Sequence, residues 1–152
     1  MNGIRVLLVD DEERFLNTTK ILLDKRGLDT SIATNGQDAI KILETKIIDV
    51  VILDVKMPGM DGVEVLNRIK NKYPLIEVIM LTGHASVESA VEGLKMGAFD
   101  YIMKPCDIPE LTEKIKQAYE RKQSAEEKIR KAKIEHIISH PLAVFDKENK
   151  NG

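Results

Sequence analysis

Short aliphatic runs recur along the chain, and segments with helical spacing separate them. Residues 4–9, 49–53 and 76–81 form nearly continuous apolar runs, which are typical of parallel strands covered on both faces. Residues 100–103 predict a short final strand. Apolar stripes that begin at Phe15, Ala39, Val63, Val87 and Leu111 predict the helices. The rhythm indicates five strand-helix units and therefore an open, doubly wound α/β sheet.

Composition narrows the class of protein. The chain has 152 residues, and its 23 basic and 25 acidic side chains leave a net charge of -2. We expect one ordinary core plus an appendage, with no chain-wide attraction for nucleic acid or anionic lipid. The apolar runs are too short for membrane insertion and no signal peptide is evident, so we expect a cytoplasmic protein. The single Cys106 has no second cysteine for a disulfide, redox or zinc pair.

Polar side chains follow the predicted strands where each strand ends. Asp10 and Asp11 follow the first strand, Asp54 ends the third, Thr82 follows the fourth and Lys104 follows the fifth. Because parallel strands share one carboxyl edge, we expect these side chains to converge on one pocket.

Three carboxylates in one pocket repel one another, and a cation would hold them ionised together. Oxygen ligands without His or Cys favour Mg²⁺, or Mn²⁺ in its place. Asp54 is then a candidate nucleophile toward phosphorus, with Lys104 offsetting charge on the transferred group. Thr82 supplies a hydroxyl, and Gly83 leaves space for phosphoryl oxygens.

Each of these residues also has a purely structural interpretation. Asp10 or Asp11 could cap the first helix, and Asp54 could form a turn. Thr82 could cap a helix, Tyr101 could be an ordinary strand-edge residue, and Lys104 could be solvated. All of these would have to hold together at one sheet edge, which favours the functional interpretation.

Four motifs agree in order and spacing with a known family. They read Val-Asp-Asp at 9–11, Leu-Asp-Val-Lys-Met-Pro-Gly-Met-Asp-Gly at 53–62, Leu-Thr-Gly-His at 81–84 and Tyr-Ile-Met-Lys-Pro at 101–105. Together they resemble the receiver domain of bacterial two-component systems, including single-domain chemotaxis regulators, over about residues 3–120. The resemblance implies a flavodoxin-like five-stranded parallel sheet in the order 2-1-3-4-5, with residues 1–120 as the receiver domain.

The resemblance also implies roles at the metal site. Asp54 would be the phosphoacceptor, Asp11 a direct metal ligand, and Asp10 a partner through metal-bound water. The backbone carbonyl of Lys56 would complete the protein's metal ligands.

Other positions match the family's phosphoryl contacts and its switch. Lys104 would contact the phosphoryl group, with a cis bond before Pro105 fixing its loop. Thr82 and Tyr101 match the switch pair. Residues at the positions of Lys56 and His84 vary in the family, and we hypothesise that they set the lifetime of the phosphorylated state.

The implied function is a phosphorylation switch rather than a conventional enzyme. A sensor histidine kinase or phosphotransfer protein would phosphorylate Asp54, and the altered face would bind an unknown downstream protein. A stand-alone regulator is our first expectation. The alternatives are a receiver fragment of a larger transcription regulator, a module that takes no phosphate, and a flavin-binding electron carrier, which the acidic first turn disfavours.

Residues 121–152 differ in composition and predict a charged helical extension with a flexible tail. A heptad seam can be drawn through Leu111, Ile115, Ala118, Lys122, Ala125, Ile129, Ala132 and His136, although Lys122 and His136 interrupt it. The apolar cluster of Ile134, Ile137, Ile138, Leu142, Val144 and Phe145 could dock on this domain or on another chain, so homodimerisation stays open. His136 and His140 have helical spacing, but no third zinc ligand is evident.

Overall fold

The computed structural model describes residues 3–56, 61–83 and 87–140, without the side chain of Val87. Strands and helices alternate as the hydrophobic pattern predicts. The strands are β1 (Arg5–Val9), β2 (Asp29–Ala33), β3 (Val50–Asp54), β4 (Glu77–Thr82) and β5 (Asp100–Met103). The helices are α1 (Glu13–Lys25), α2 (Gly36–Thr45), α3 (Gly62–Lys72), α4 (Val87–Lys95) and α5 (Ile108–Ser139).

The five strands form one parallel sheet in the order β2-β1-β3-β4-β5. This confirms the predicted flavodoxin-like fold and its strand order. The β1 strand lies between β2 and β3, so the chain reverses its winding direction between β2 and β3. The carboxyl ends of β1 and β3 are therefore adjacent, which is the position where open α/β sheets bind ligands.

Alternate side chains of the central strands enter two separate cores. Val51 and Leu53 of β3 belong to a cluster that includes side chains of α2 and α3. Val50 and Ile52 belong to a second cluster, on the other face, that includes side chains of α1 and α5. Because every residue of β3 and β4 is buried, the sheet has no solvent-facing side at its centre.

Local signals explain where the helices begin and end. The side chain of Asn35 accepts a hydrogen bond from the Asp38 amide at 2.8 Å, which caps α2. Asp61 caps α3 in the same way through the Val63 amide. The last helix begins at Ile108, just before the apolar stripe that starts at Leu111, because the Asp107 carboxylate accepts a hydrogen bond from the Glu110 amide at 2.7 Å.

Two buried carboxylates lie at the opposite, amino-terminal edge of the sheet. Asp49, just before β3, accepts hydrogen bonds from Arg5 and forms an ion pair with Lys122 at 3.2 Å. Glu77, the first residue of β4, pairs with Arg121 at 3.2 Å. These two ion pairs link Arg121 and Lys122, near the middle of α5, to the amino-terminal edge of the sheet.

The chain divides after Lys122 into two compact units. In the second unit, residues 123–139 are helical, and the apolar side chains of Ile129, Ile134, Ile137 and Ile138 are exposed. The rings of His136 and His140 stack with their centroids 4.7 Å apart. The predicted apolar positions Leu142, Val144 and Phe145 lie outside the described residues, and the heptad seam stays a prediction. No helix among the described residues is long and apolar enough to span a membrane.

Candidate functional site

Three carboxylates meet at the carboxyl edge of the sheet. Asp10 and Asp11 follow β1, and Asp54 is the last residue of β3. One oxygen from each of the three side chains lies within 4.8 Å of the other two. The structure thus brings Asp54 to the adjacent pair Asp10 and Asp11, from which it is 43 or more positions distant in the sequence. The donor atoms of all three are those that a hard divalent cation prefers.

Asp10 is fully buried and does not cap α1. The N-cap residue is Glu12, which makes no side-chain cap hydrogen bond. One oxygen of Asp10 accepts the Glu12 amide at 2.9 Å, and the other accepts a hydrogen bond from the Lys104 ammonium. Burial raises the pKa of Asp10, and the hydrogen bond from Lys104 opposes that rise without cancelling it.

Asp54 is 8% exposed. Its Oδ1 accepts a hydrogen bond from the Lys56 amide at 3.2 Å, which forms the local turn that the structural interpretation of Asp54 predicts. Its Oδ2 lies 3.8 Å from Lys104 Nζ. Burial, and then the negative charge of Asp10, raise the pKa of Asp54 to about 6. The turn and the candidate chemistry therefore coexist in one side chain, and the site holds an excess of negative charge.

The backbone around Asp54 is held tightly. The Val55 amide donates to the Leu81 carbonyl at 3.0 Å, and the Gly62 amide donates to Val55 at 3.0 Å. A Cβ on Gly62 would lie 2.6 Å from the Asp54 carbonyl oxygen. The first residue of α3 therefore has to be glycine for the chain to pass this close to the end of β3.

Lys104 reaches the same cluster from the end of β5. Its amide donates to the Thr82 carbonyl at 2.8 Å, and the following bond to Pro105 is cis, as expected from the sequence. Burial alone would lower the pKa of Lys104, but Asp10 and then Asp54 outweigh it and raise that pKa. Lys104 is thus a fixed ammonium beside two carboxylates and not a solvated lysine.

The two residues of the predicted switch occupy neighbouring strands. Thr82 is buried at the end of β4, and its hydroxyl donates to the Gly83 carbonyl at 2.9 Å. Tyr101, on β5, is half-buried and packs against the cluster on the α2–α3 face. A Cβ at Gly83 would meet none of the described atoms within 4 Å, chain neighbours aside.

Other predicted site residues are less defined. Lys56 is exposed and its amide is bound to Asp54, but the metal-ligand role of its carbonyl stays a prediction. His84 lies outside the described residues. Sequence reasoning missed two neighbours of Lys104 Nζ: Glu12 Oε1 at 3.8 Å and the ring of Phe15, whose centroid is 4.6 Å away. Both residues lie within four positions of Asp11 in the sequence, and this closeness to a predicted site residue is the signal from which they could have been predicted.

Known proteins resemble this chain over the same region. The family model described as the response regulator receiver domain matches residues 6–116. A putative NtrX-like response regulator of Rickettsia bellii is 43% identical over 122 residues, 79% of this chain and 26% of that protein. The transcriptional regulatory protein ZraR of Salmonella typhimurium is 39% identical over 115 residues, 76% of this chain and 26% of that protein. The chain thus spans about a quarter of the length of these curated relatives.

A solved structure agrees with the fold. The crystal structure of a response regulator receiver domain protein from Clostridium thermocellum matches with a TM-score of 0.77 and 35% sequence identity. The match covers 82% of this chain and 99% of the other.

Proposed function

The chain belongs to the response regulator receiver domain family, and from this premise we propose that Asp54 accepts a phosphoryl group in a Mg²⁺-dependent reaction. The observation that carries the proposal is the cluster of Asp10, Asp11 and Asp54 with the Lys104 ammonium beside it. Family membership fits a phosphoacceptor rather than a conventional enzyme.

The residues of the cluster fit a hard divalent cation. All three offer carboxylate oxygens. Burial, and then the negative charge of Asp10, raise the pKa of Asp54, and a cation bound in the cluster would offset that charge. Asp11 and Asp54 would hold the ion directly and Asp10 through water, with the Lys56 carbonyl as a further ligand. Bound there, Mg²⁺ or Mn²⁺ would neutralise charge on the phosphoryl oxygens.

In the proposed reaction an Asp54 oxygen attacks phosphorus as the bond between phosphorus and its donor breaks. The electron pair leaves with the donor, a phosphohistidine of a sensor histidine kinase or phosphotransfer protein, and an acyl phosphate remains on Asp54. Lys104 would offset negative charge on the moving group. Such a donor implies a cytoplasmic location.

Phosphorylation would then alter a protein-binding face. The new oxygens on Asp54 would attract the Thr82 hydroxyl away from the Gly83 carbonyl, and Tyr101 would turn inward on its strand. Lys56 and His84 would set the lifetime of the acyl phosphate. If replacement of both residues by alanine leaves the decay rate of the acyl phosphate unchanged, they do not set its lifetime.

The experiment is incubation with Mg²⁺ and acetyl phosphate, followed by intact-mass measurement. Wild-type protein should gain one phosphoryl group that acid or hydroxylamine removes, and chelation of Mg²⁺ should prevent the gain. Asp54→Asn should gain none, while the matched change Asp29→Asn, at an exposed strand position, should behave as wild type. An unlabelled wild-type protein would instead favour an interaction module that takes no phosphate.

The length of the relatives favours a second candidate for the whole protein. Because this chain covers 26% of a transcriptional regulatory protein, it could act as the receiver segment of such a regulator, whose other parts would contact DNA. A natural gene product that ends at Gly152 would support the stand-alone regulator, and a longer one would support the transcriptional regulator.

A further inference from the structure

The Lys104 ammonium lies against an aromatic ring as well as against carboxylates. Its Nζ is 4.6 Å from the centroid of the Phe15 ring, inside the distance of about 6 Å at which a cation is attracted to a ring face. The Lys104 side chain is 21% exposed, so water screens this attraction less than it would at the surface. The site therefore contains a cation–π contact to the lysine of the proposed phosphoryl site.

The core, not the charges of the site, determines where the Phe15 ring lies. Phe15 is the third residue of α1 and is half-buried against the cluster that contains Leu16 and side chains of α5. Leu16, the next residue, is 1% exposed. The first turn of α1 is thus anchored by packing, and the ring is held in place beside the carboxyl edge of the sheet.

The other contacts of Lys104 are carboxylates whose charge the proposed reaction changes. Asp10 and Asp54 belong to the cation cluster, and a cation there would weaken their attraction for the ammonium. Glu12, 3.8 Å away, has a side chain that is 69% exposed, so it would draw the ammonium outward. The ring has no net charge for a metal ion or phosphoryl group to neutralise.

We infer that Phe15 is a positioning residue for Lys104, which keeps the ammonium beside Asp54 when the site carries a cation and a phosphoryl donor. The inference rests on the proposed function, since it assigns Lys104 to the phosphoryl group. In this role Phe15 acts on the reaction only through Lys104. Its contribution is to limit where the ammonium can move.

The test compares two variants of one position. Phe15→Leu keeps an apolar side chain but removes the ring, whereas Phe15→Tyr keeps the ring face. The initial rate of acetyl phosphate labelling should fall about five-fold in the leucine variant, because a partly buried cation–π contact is worth about 1 kcal/mol at about 1.4 kcal/mol per ten-fold. The tyrosine variant should stay within roughly two-fold of wild type, because a ring of similar attraction remains.

Phe99→Leu controls for lost packing. Phe99 is also half-buried against the same cluster, and its ring lies 5.3 Å from the Arg121 guanidinium at the other edge of the sheet. This variant loses the same aromatic volume without touching Lys104. Its labelling rate should equal that of wild type when the melting temperatures of the two leucine variants are comparable.

A second readout needs no reaction. In the metal-free, unphosphorylated protein, the ring current of Phe15 should shift the Lys104 ε-methylene protons upfield in the NMR spectrum, and Phe15→Leu should abolish that shift. Wild-type protein that takes no phosphoryl group would contradict the proposed function. Unshifted Lys104 protons in wild type, or equal labelling rates in the leucine and tyrosine variants, would overturn the positioning role.

Discussion

Replacing the Asp54 carboxylate, the proposed phosphoacceptor, by an amide should stabilise the metal-free protein. The pKa of Asp54 rises from 3.8 to about 6, and each pH unit of that rise corresponds to about 1.4 kcal/mol. The ionised side chain therefore costs the folded protein about 3 kcal/mol at pH 7. Asp54→Asn removes the charge at nearly constant volume, so it should increase the free energy of unfolding by up to about that amount.

The sign of the pH dependence follows from the direction of the pKa change. Between about pH 4 and pH 6 the folded protein retains the Asp54 proton while the unfolded chain releases it, so wild-type stability falls as the pH rises through this window. Asp54→Asn has no such proton. Its advantage over wild type should therefore be small at pH 4 and fully developed above pH 7.

The assay is urea unfolding followed by circular dichroism at pH 4 and pH 7, with a chelator present. Asp29→Asn makes the same chemical change at an exposed strand position and should shift the free energy of unfolding by less than about 0.5 kcal/mol. Addition of Mg²⁺ should stabilise wild type more than Asp54→Asn and narrow the gap. An Asp54→Asn variant no more stable than wild type at pH 7, or equally stabilised at both pH values, would refute the reasoning.

Two further stability predictions concern the rest of the domain. Gly62→Ala should lower the free energy of unfolding in urea by about 1–3 kcal/mol or more, because the new Cβ would lie 2.6 Å from the backbone oxygen of Asp54. Gly93→Ala should be tolerated, because the nearest atom, at 3.4 Å, belongs to a flexible side chain. Equal losses of stability in the two variants would contradict this prediction. Asp49→Asn should cost up to about 3 kcal/mol, because it removes the charge of a buried carboxylate that pairs with Lys122 and with the partly exposed Arg5. Glu64→Gln at an exposed pair should cost less than about 0.5 kcal/mol. Burial raises the pKa of Asp49, but hydrogen bonds from its basic partners outweigh it and lower that pKa, so the Asp49 contribution should persist above about pH 4 and disappear as the pH falls further.

The sequence by itself predicted the helices, every strand except β2 (Asp29–Ala33), and the edge of the sheet at which polar side chains gather. Apolar periodicity is a local property, so the runs before Asp10 and Asp54 predict buried strands without knowledge of their neighbours. The strand order came from the family resemblance of the motifs. Parallel strands share one carboxyl edge, which is why residues as distant as Asp10 and Lys104 could be assigned to one site.

Only the tertiary structure decided which atoms meet at that site and what charge they carry. The pKa of Asp54 depends on its burial and on its distance from Asp10, and both are set by strand register and side-chain rotamers. The sequence places Phe15 in the inward apolar stripe of α1, and only the tertiary structure shows that its ring also lies against the Lys104 ammonium. Such distances join residues far apart in the chain, and no local pattern of residue types encodes them.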